Sequence, residues 1–168
     1  AGPSELMIVA DATANATFVA SDLLSQAEHG PDSQVLLVTI DRDMIERVDA
    51  QVEVQISVLE RKETALKALG NSKIIYFDKE ADALAFTNFY GAEHLIVCLK
   101  NEDEFVNQIK HAGSVFIGNY TPESAGDYAS GTNHTLPTNG YVRQYSGVNL
   151  DSFLKAITYQ KITAQGLQ

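Results

Sequence analysis

The chain has 168 residues, a formal net charge of −10 and 45% hydrophobic residues. This length fits one domain, and the apolar content is sufficient for a core, which argues against intrinsic disorder. The acidic balance disfavours binding to a phosphate backbone, and no basic run is longer than Arg61-Lys62. We therefore expect no nucleic-acid partner.

Cysteine content and hydropathy indicate the compartment. The single cysteine, Cys98, excludes an internal disulfide and a cysteine-based metal cluster, and it fits a reducing compartment. Cys98 lies in the apolar run HLIVCL, which favours a small core residue over a nucleophile. No apolar stretch approaches the roughly 20 residues that a bilayer requires, and no signal peptide precedes the first predicted strand. We expect a cytoplasmic protein with no membrane partner.

Short apolar runs alternate with helical patterns along the chain. The predicted strands are Leu6–Ala10, Val35–Ile40, Lys73–Phe77, His94–Leu99 and Ser114–Ile117. The predicted helices cover residues 16–29, 43–69, 80–90 and 102–112, with a last helix over 150–157. The strand runs are continuous rather than alternating, which is typical of parallel strands covered on both faces. The sequence therefore predicts an α/β fold, with a mostly parallel sheet, flanking helices and right-handed crossovers.

The predicted organisation is one domain in three parts. An α/β core covers residues 1–118, a long functional loop packed on that core covers 119–149, and a C-terminal helix and tail cover 150–168. A connection as long as 119–149 is usually functional or disordered. The chain starts at Ala1, without Met, a few residues before a strand. We therefore expect either a processed N-terminus or a piece of a longer polypeptide.

Two polar pairs are candidates for chemistry. Gln26 and His29 are spaced i, i+3 on one helix face, at the carboxyl end, where the helix dipole favours a cation. They indicate either a metal site or a polar last turn whose side chains cap carbonyl groups. Glu93 and His94 open the fourth strand and offer general acid/base groups, or they form a surface pair at a strand entry.

Strand order predicts where the candidates meet. Ser4, like the two polar pairs, directly precedes a predicted strand, so all five residues should lie at the amino edge of the sheet. Ligands more commonly gather at the carboxyl edge. Asp127 and His134, in the long loop, are either site residues or turn residues. Asp127 starts from the carboxyl edge, but an extended chain gains roughly 3.3 Å per residue, so the loop can cross a short strand.

Five segments of the sequence resemble the histidinol dehydrogenase family, in family order and over essentially the whole chain. Two of them contain the long and unusual strings SQAEHGPDSQ and SAGDYASGTNH. The segments are AGPSELMIVAD, DLLSQAEHGPDSQ, GAEHLIV, AGSVFIGNYTPESAGDYASGTNHTLPTNGY and YSGVNLDSF. The resemblance implies a fold like half of an aldehyde-dehydrogenase-like α/β unit. It also implies two successive NAD-dependent oxidations, of L-histidinol to L-histidinal and then to L-histidine, which end histidine biosynthesis.

The resemblance also implies residue roles, motif by motif. Gln26, His29 and Asp127 match zinc ligands, and Zn²⁺ would act as a template that holds the imidazole and amine of the substrate. His94 would take the hydroxyl proton as hydride leaves, and Glu93 would activate water to attack the aldehyde. The implied substrate-binding positions are Ser4, Gln26, His29, His94, Asp127 and His134.

Members of this family are much longer than 168 residues. The resemblance implies that the NAD-contacting residues precede Ala1, and no GxGxxG follows a predicted strand, so we predict no cofactor-binding residue here. It implies that a fourth zinc ligand, a His, and a substrate-contacting Glu lie beyond Gln168 and come from the partner subunit of a homodimer. We expect the chain alone to be inactive and to bind zinc weakly.

Two other interpretations remain open. One is a non-catalytic module that binds a metal or an imidazole in the same pocket. The other is an α/β interaction module whose long loop docks a partner protein. The residues alone do not choose among the three, because each polar pair also fits a structural role.

Overall fold

A parallel β-sheet forms the centre of the molecule. A computed structural model describes residues 3–168, so the first two residues of the predicted 1–118 core lie outside the described residues. The sheet has five strands. The strands are β1 (Glu5–Ala10), β2 (Gln34–Thr39), β3 (Lys73–Tyr76), β4 (His94–Cys98) and β5 (Ser114–Ile117). Their order is β3-β2-β1-β4-β5, and all neighbours are parallel. The predicted fold class is confirmed.

Helices cover both faces of this sheet. They are α1 (Ala16–Ala27), α2 (Arg42–Ile56), α3 (Lys62–Gly70), α4 (Glu80–Tyr90), α5 (Glu102–Val106) and α6 (Ser124–Tyr128). Leu6 and Ile8 of β1 belong to a core shared with α1, α2 and α3. Met7 and Val9 belong to a second core, shared with α4 and α5. Burial on both faces accounts for the continuous apolar strand sequences, and Cys98 is one of the buried core residues.

Two helix predictions were wrong in extent. The predicted helix over 43–69 is two helices, α2 and α3, because Ser57 Oγ donates to the Val54 carbonyl at 2.6 Å and closes the end of α2. The predicted helix over 102–112 ends at Val106. The Lys110 amide donates to Asn88 Oδ1 at 2.6 Å, so the chain beyond α5 bonds to α4 instead of continuing the helix.

The C-terminal segment also departs from the prediction. The predicted helix over 150–157 is a 3-10 helix of four residues, Leu150–Phe153, which Asn149 caps. Every residue from 149 to 168 is exposed, including Phe153 at 78% and Tyr159 at 88%. Because helical stability in proteins comes mostly from packing an apolar face, a segment that packs on no core does not hold a longer helix.

The long loop runs from the carboxyl edge of the sheet back to its amino edge. The Asn15 amide donates to Asn119 Oδ1 at 2.8 Å, near the start of α1. Further along, the Glu123 amide donates to Asp22 Oδ1 at 3.3 Å. The segment 119–123 thus lies alongside α1, whose carboxyl end is at the amino edge. This path explains how α6 comes to lie beside the first residues of β4.

The rest of the loop covers the amino edge. The Asn139 amide donates to Glu5 Oε1 at 2.8 Å, and the Arg143 guanidinium donates to the carbonyls of Phe89 and Tyr90. A 3-10 helix, Tyr141–Arg143, lies in this part of the loop. None of the helices within residues 3–168 has the length and apolar content needed to span a membrane.

Candidate active site

Glu93 lies directly before β4 and is 7% exposed. Its Oε2 accepts hydrogen bonds from Ser4 Oγ at 2.7 Å and from the Glu5 backbone amide at 2.9 Å. Burial raises the pKa of Glu93, but the interactions with His94, Ser4 and the Glu5 amide outweigh it, so that pKa is lowered from its usual value. Glu93 is therefore held as a carboxylate, which is the state that a general base requires.

His94 is the first residue of β4 and is 6% exposed. Its Nδ1 lies 3.3 Å from the Glu5 carbonyl oxygen and 3.6 Å from Glu93 Oε2. Its Nε2 lies 3.7 Å from Glu123 Oε1. Burial lowers the pKa of His94, but the carboxylates of Glu93 and Glu123 outweigh this effect and raise it above its usual value. The site therefore makes His94 a stronger base than a free imidazole.

Glu123 is the functional candidate that the sequence reasoning missed. It is 2% exposed and directly precedes α6. Burial raises the pKa of Glu123, and among its neighbours His94 and His29 lower this pKa while Asp127 raises it. Glu123 and Asp127 are spaced i, i+4 and follow Pro122, a pattern typical of a helix start. This pattern in the sequence could have placed Glu123 on the same short helix as Asp127.

The proposed zinc ligands have contrasting surroundings. Gln26 is 0% exposed, and neither its Oε1 nor its Nε2 has a hydrogen-bond partner in the described structure. His29 is exposed and lies beyond Ala27, where α1 ends, so the prediction that it shares a helix face with Gln26 was wrong. Asp127 Oδ1 lies 3.7 Å from His134 Nδ1. An unpaired buried amide costs free energy, so the orphaned oxygen of Gln26 fits a group that accepts a further ligand.

Within residues 3–168, no three His, Cys, Asp or Glu side chains form a group that could hold a metal ion. The predicted set requires only two residues of those types, His29 and Asp127, because its third member is an amide. An imidazole, a carboxylate and an amide oxygen are all donors that Zn²⁺ accepts, although the amide is uncommon. The donor chemistry of Gln26, His29 and Asp127 therefore fits zinc.

The structure joins five of the seven predicted residues into two groups, and no described side-chain hydrogen bond or ion pair brings Gln26 or His29 into either. Ser4 and His94 each contact Glu93 at the amino edge, where Leu6 of β1 pairs with His94 of β4. Asp127 and His134 form the second contact. The two groups border each other, since a cleft of about 560 Å³ is lined by both Glu93 and His134.

Comparisons with known proteins identify the family of this chain. The profile of a family described as histidinol dehydrogenase matches residues 1–168. The chain is 55% identical, over its full length, to a histidinol dehydrogenase of Bacteroides thetaiotaomicron and 53% identical to one of Vibrio cholerae, and it covers 39% of each. A crystal structure of histidinol dehydrogenase from Elizabethkingia anophelis superimposes with a TM-score of 0.95 at 56% identity, covering 99% of this chain and 39% of that one. The chain thus spans about two fifths of the length of these relatives.

Proposed function

Because the chain belongs to the histidinol dehydrogenase family, we propose that it is the part of a histidinol dehydrogenase that carries the acid/base pair and three zinc ligands. The proposed reaction of the whole enzyme is the NAD-dependent oxidation of L-histidinol to L-histidine through L-histidinal. The observation that carries the proposal is the buried pair of Glu93 and His94, 3.6 Å apart, beside a cleft. In the proposal Glu93 and His94 have different catalytic roles, which their different surroundings support.

His94 is the proposed base of the first oxidation. The substrate hydroxyl gives its proton to the imidazole as hydride leaves the carbinol carbon and a C=O bond forms; NAD⁺ would accept that hydride. A base works best when its pKa is close to the working pH, and the raised pKa of His94 increases its proton affinity. The Glu93 carboxylate, 3.6 Å from Nδ1, stabilises the imidazolium that this step creates.

Glu93 is the proposed base of the second oxidation. A water molecule gives a proton to Glu93 while its oxygen bonds to the aldehyde carbon, which leaves the anion of the hydrate. Loss of hydride from that carbon gives the carboxylic acid, which ionises to the carboxylate by releasing a proton; NAD⁺ would accept the hydride. The lowered pKa of Glu93 keeps the group ionised, which is the form that can accept a proton. Ser4 Oγ and the Glu5 amide fix the orientation of the carboxylate.

Gln26, His29 and Asp127 are the proposed residues for Zn²⁺. When bound, the metal would hold the imidazole and amine of histidinol as a template. His134 lines the same cleft as Glu93 and contacts Asp127, which supports a role in contacting the substrate. We also propose that residues 1–168 alone do not turn over histidinol, because relatives are more than twice as long.

The remaining residues of the site are proposed to come from outside this segment. NAD contacts and a fourth zinc ligand would belong to the rest of the polypeptide, the ligand being supplied by the partner subunit of a homodimer. The exposed tail over 149–168 supports such an arrangement, since it presents Phe153, Leu154 and Ile157 without a core to pack on.

NADH formation and metal analysis test the proposal together. The full-length protein, supplied with zinc, NAD and L-histidinol, is expected to release two NADH for each L-histidine formed. Zinc binding without any NADH formation would contradict the proposed enzyme activity and favour a non-catalytic metal-binding module. NADH formation by residues 1–168 alone would contradict the proposal that this segment is inactive by itself.

A further inference from the structure

Glu123 occupies a position that the proposed mechanism does not use. It is 2% exposed, and its Oε1 lies 3.7 Å from His94 Nε2. Its backbone amide is held by Asp22 of α1, and it directly precedes α6. The carboxylate is therefore placed against the imidazole by two separate elements, α1 and α6, rather than by a flexible surface chain.

The surroundings of His94 offer acceptors on both ring nitrogens. Nδ1 faces the Glu5 carbonyl at 3.3 Å and the Glu93 carboxylate at 3.6 Å, and Nε2 faces only Glu123 among the described partners. A neutral imidazole has one N–H, and the two acceptors near Nδ1 favour placing it there. The lone pair then lies on Nε2, which is the nitrogen that can accept a proton, and Glu123 is the charged group beside it.

Resting on the proposed function, we propose that Glu123 is a positioning residue for His94, whose buried carboxylate orients the imidazole and stabilises the imidazolium formed when Nε2 takes a proton. At 3.7 Å the contact is longer than a strong hydrogen bond, so the carboxylate acts mainly through its charge. Burial of both side chains keeps water from screening that charge. In this role Glu123 acts on the imidazole of His94.

The location of Glu123 also connects the two groups of site residues. His29 and Asp127 act on the carboxylate of Glu123 through their charges, as do His94 and Glu93. A purely structural alternative is that Glu123 only fixes the start of α6, and the experiment has to separate the two.

The experiment compares Glu123→Gln and Glu123→Asp in the full-length protein, with Glu104→Gln as a control. Gln keeps the shape and removes the charge, whereas Asp keeps the charge one methylene further back. Glu104 is an exposed carboxylate on α5, on the opposite face of the sheet. We expect Glu123→Gln to lower kcat by about 10- to 100-fold with KM for histidinol within about threefold, Glu123→Asp to recover part of kcat, and Glu104→Gln to match the wild type.

Zinc content and thermal stability are measured on each variant. A kcat of Glu123→Gln within about twofold of the wild type would overturn the inference while leaving the proposed function intact. Equal losses of kcat in the Gln and Asp variants, together with a lower Tm, would overturn it in favour of the structural role. A wild-type protein that forms no NADH would instead overturn the proposed function.

NMR of the protein with ¹³C-labelled histidine gives a readout that does not depend on turnover. The groups that face the His94 ring are Glu93, Glu123 and the Glu5 carbonyl, with the Glu5 carboxylate also contributing its charge. Removing the charge of Glu123 is expected to lower the pKa of His94 relative to the wild type. An unchanged pKa in Glu123→Gln would overturn the inference even if the protein proves to have another substrate.

Discussion

The two halves of the candidate site differ in how far this chain completes them. In the acid/base half (Ser4, Glu93, His94), the two titratable groups are each less than 10% exposed and have partners within the chain. In the proposed zinc half (Gln26, His29, Asp127), His29 is exposed and the Gln26 amide has no hydrogen-bond partner in the described structure. The first half is preorganised by its own fold, and the second has the character of a site that a ligand completes.

The largest expected effect comes from removing the base of the acid/base half. His94→Ala in the full-length protein is expected to lower kcat by about 10³-fold, within the usual range for a general base. Zinc content should stay near that of the wild type, because His94 is not among the proposed ligands. Steady-state NADH assays and metal analysis measure both quantities, and His111→Ala removes an imidazole outside the candidate site as a control. Loss of zinc together with activity would show that the halves are not separate.

The unpaired amide of the zinc half gives the next effect. Gln26→Leu is expected to weaken zinc binding by about 10- to 100-fold, a typical loss for impaired metal sites. The same change should raise the Tm of the metal-free protein, because it removes a buried amide that has no partner. Zinc titration and thermal melts check the two directions.

Gln51→Leu serves as the matched control, since Gln51 Oε1 accepts a hydrogen bond from Thr17 Oγ1 at 3.2 Å. It should leave zinc affinity unchanged and should not raise the Tm. If Gln26→Leu lowers the Tm of the metal-free protein, Gln26 is a structural residue and not a zinc ligand.

The pH dependence of turnover tests the electrostatics of the acid/base half. Burial lowers the pKa of His94, but Glu93 and Glu123 raise it to above its usual 6.5. A base must be unprotonated, so kcat/KM should still be rising above pH 6.5 and level off only beyond the raised pKa. The profile of kcat/KM against pH measures this. A limb that levels off below pH 6.5 would contradict the arrangement around His94.

The smallest effect concerns the contact that brings α6 to the site. Burial raises the pKa of Asp22 from its usual 3.8 to about 6. A group whose folded pKa is raised stabilises the fold fully below 3.8, and this contribution is lost as the pH rises through about 6. Asp22→Asn keeps an acceptor for the Glu123 amide and should therefore raise the Tm by roughly 2–4 °C at pH 8. No gain, or a loss, at pH 8 would contradict this, and the gain should disappear near pH 4.

The sequence predicted the sheet and the position of the proposed acid/base residues at its amino edge. Continuous apolar runs gave all the strands to within two residues of their observed ends, because strands buried on both faces have few alternatives. The amino-edge placement of Ser4, Glu93 and His94 followed from connectivity alone. The pattern could not show that Ser4 donates to Glu93, since this contact joins residues that are 89 positions apart in the chain.

The parts that were missed depend on contacts beyond local sequence. α2 and α3 read as one helix because the break at Ser57 has no Gly or Pro. Helix α6 is only five residues long, and packing fixes it: a Cβ on Gly126 would lie 2.9 Å from Phe116. The sequence can place Glu123 near a helix start, but it cannot show the contact with His94, because the two residues belong to different elements.

The division of work between Glu93 and His94 is the central claim, and Glu93→Gln tests it most directly. In a single-turnover experiment with the full-length protein, NADH formed from L-histidinol and from L-histidinal is counted per active site. Gln preserves an acceptor for Ser4 but cannot activate water. The account predicts one NADH from histidinol and a rate from histidinal that is at least about 100-fold reduced. Two NADH per histidinol at the wild-type rate would contradict it.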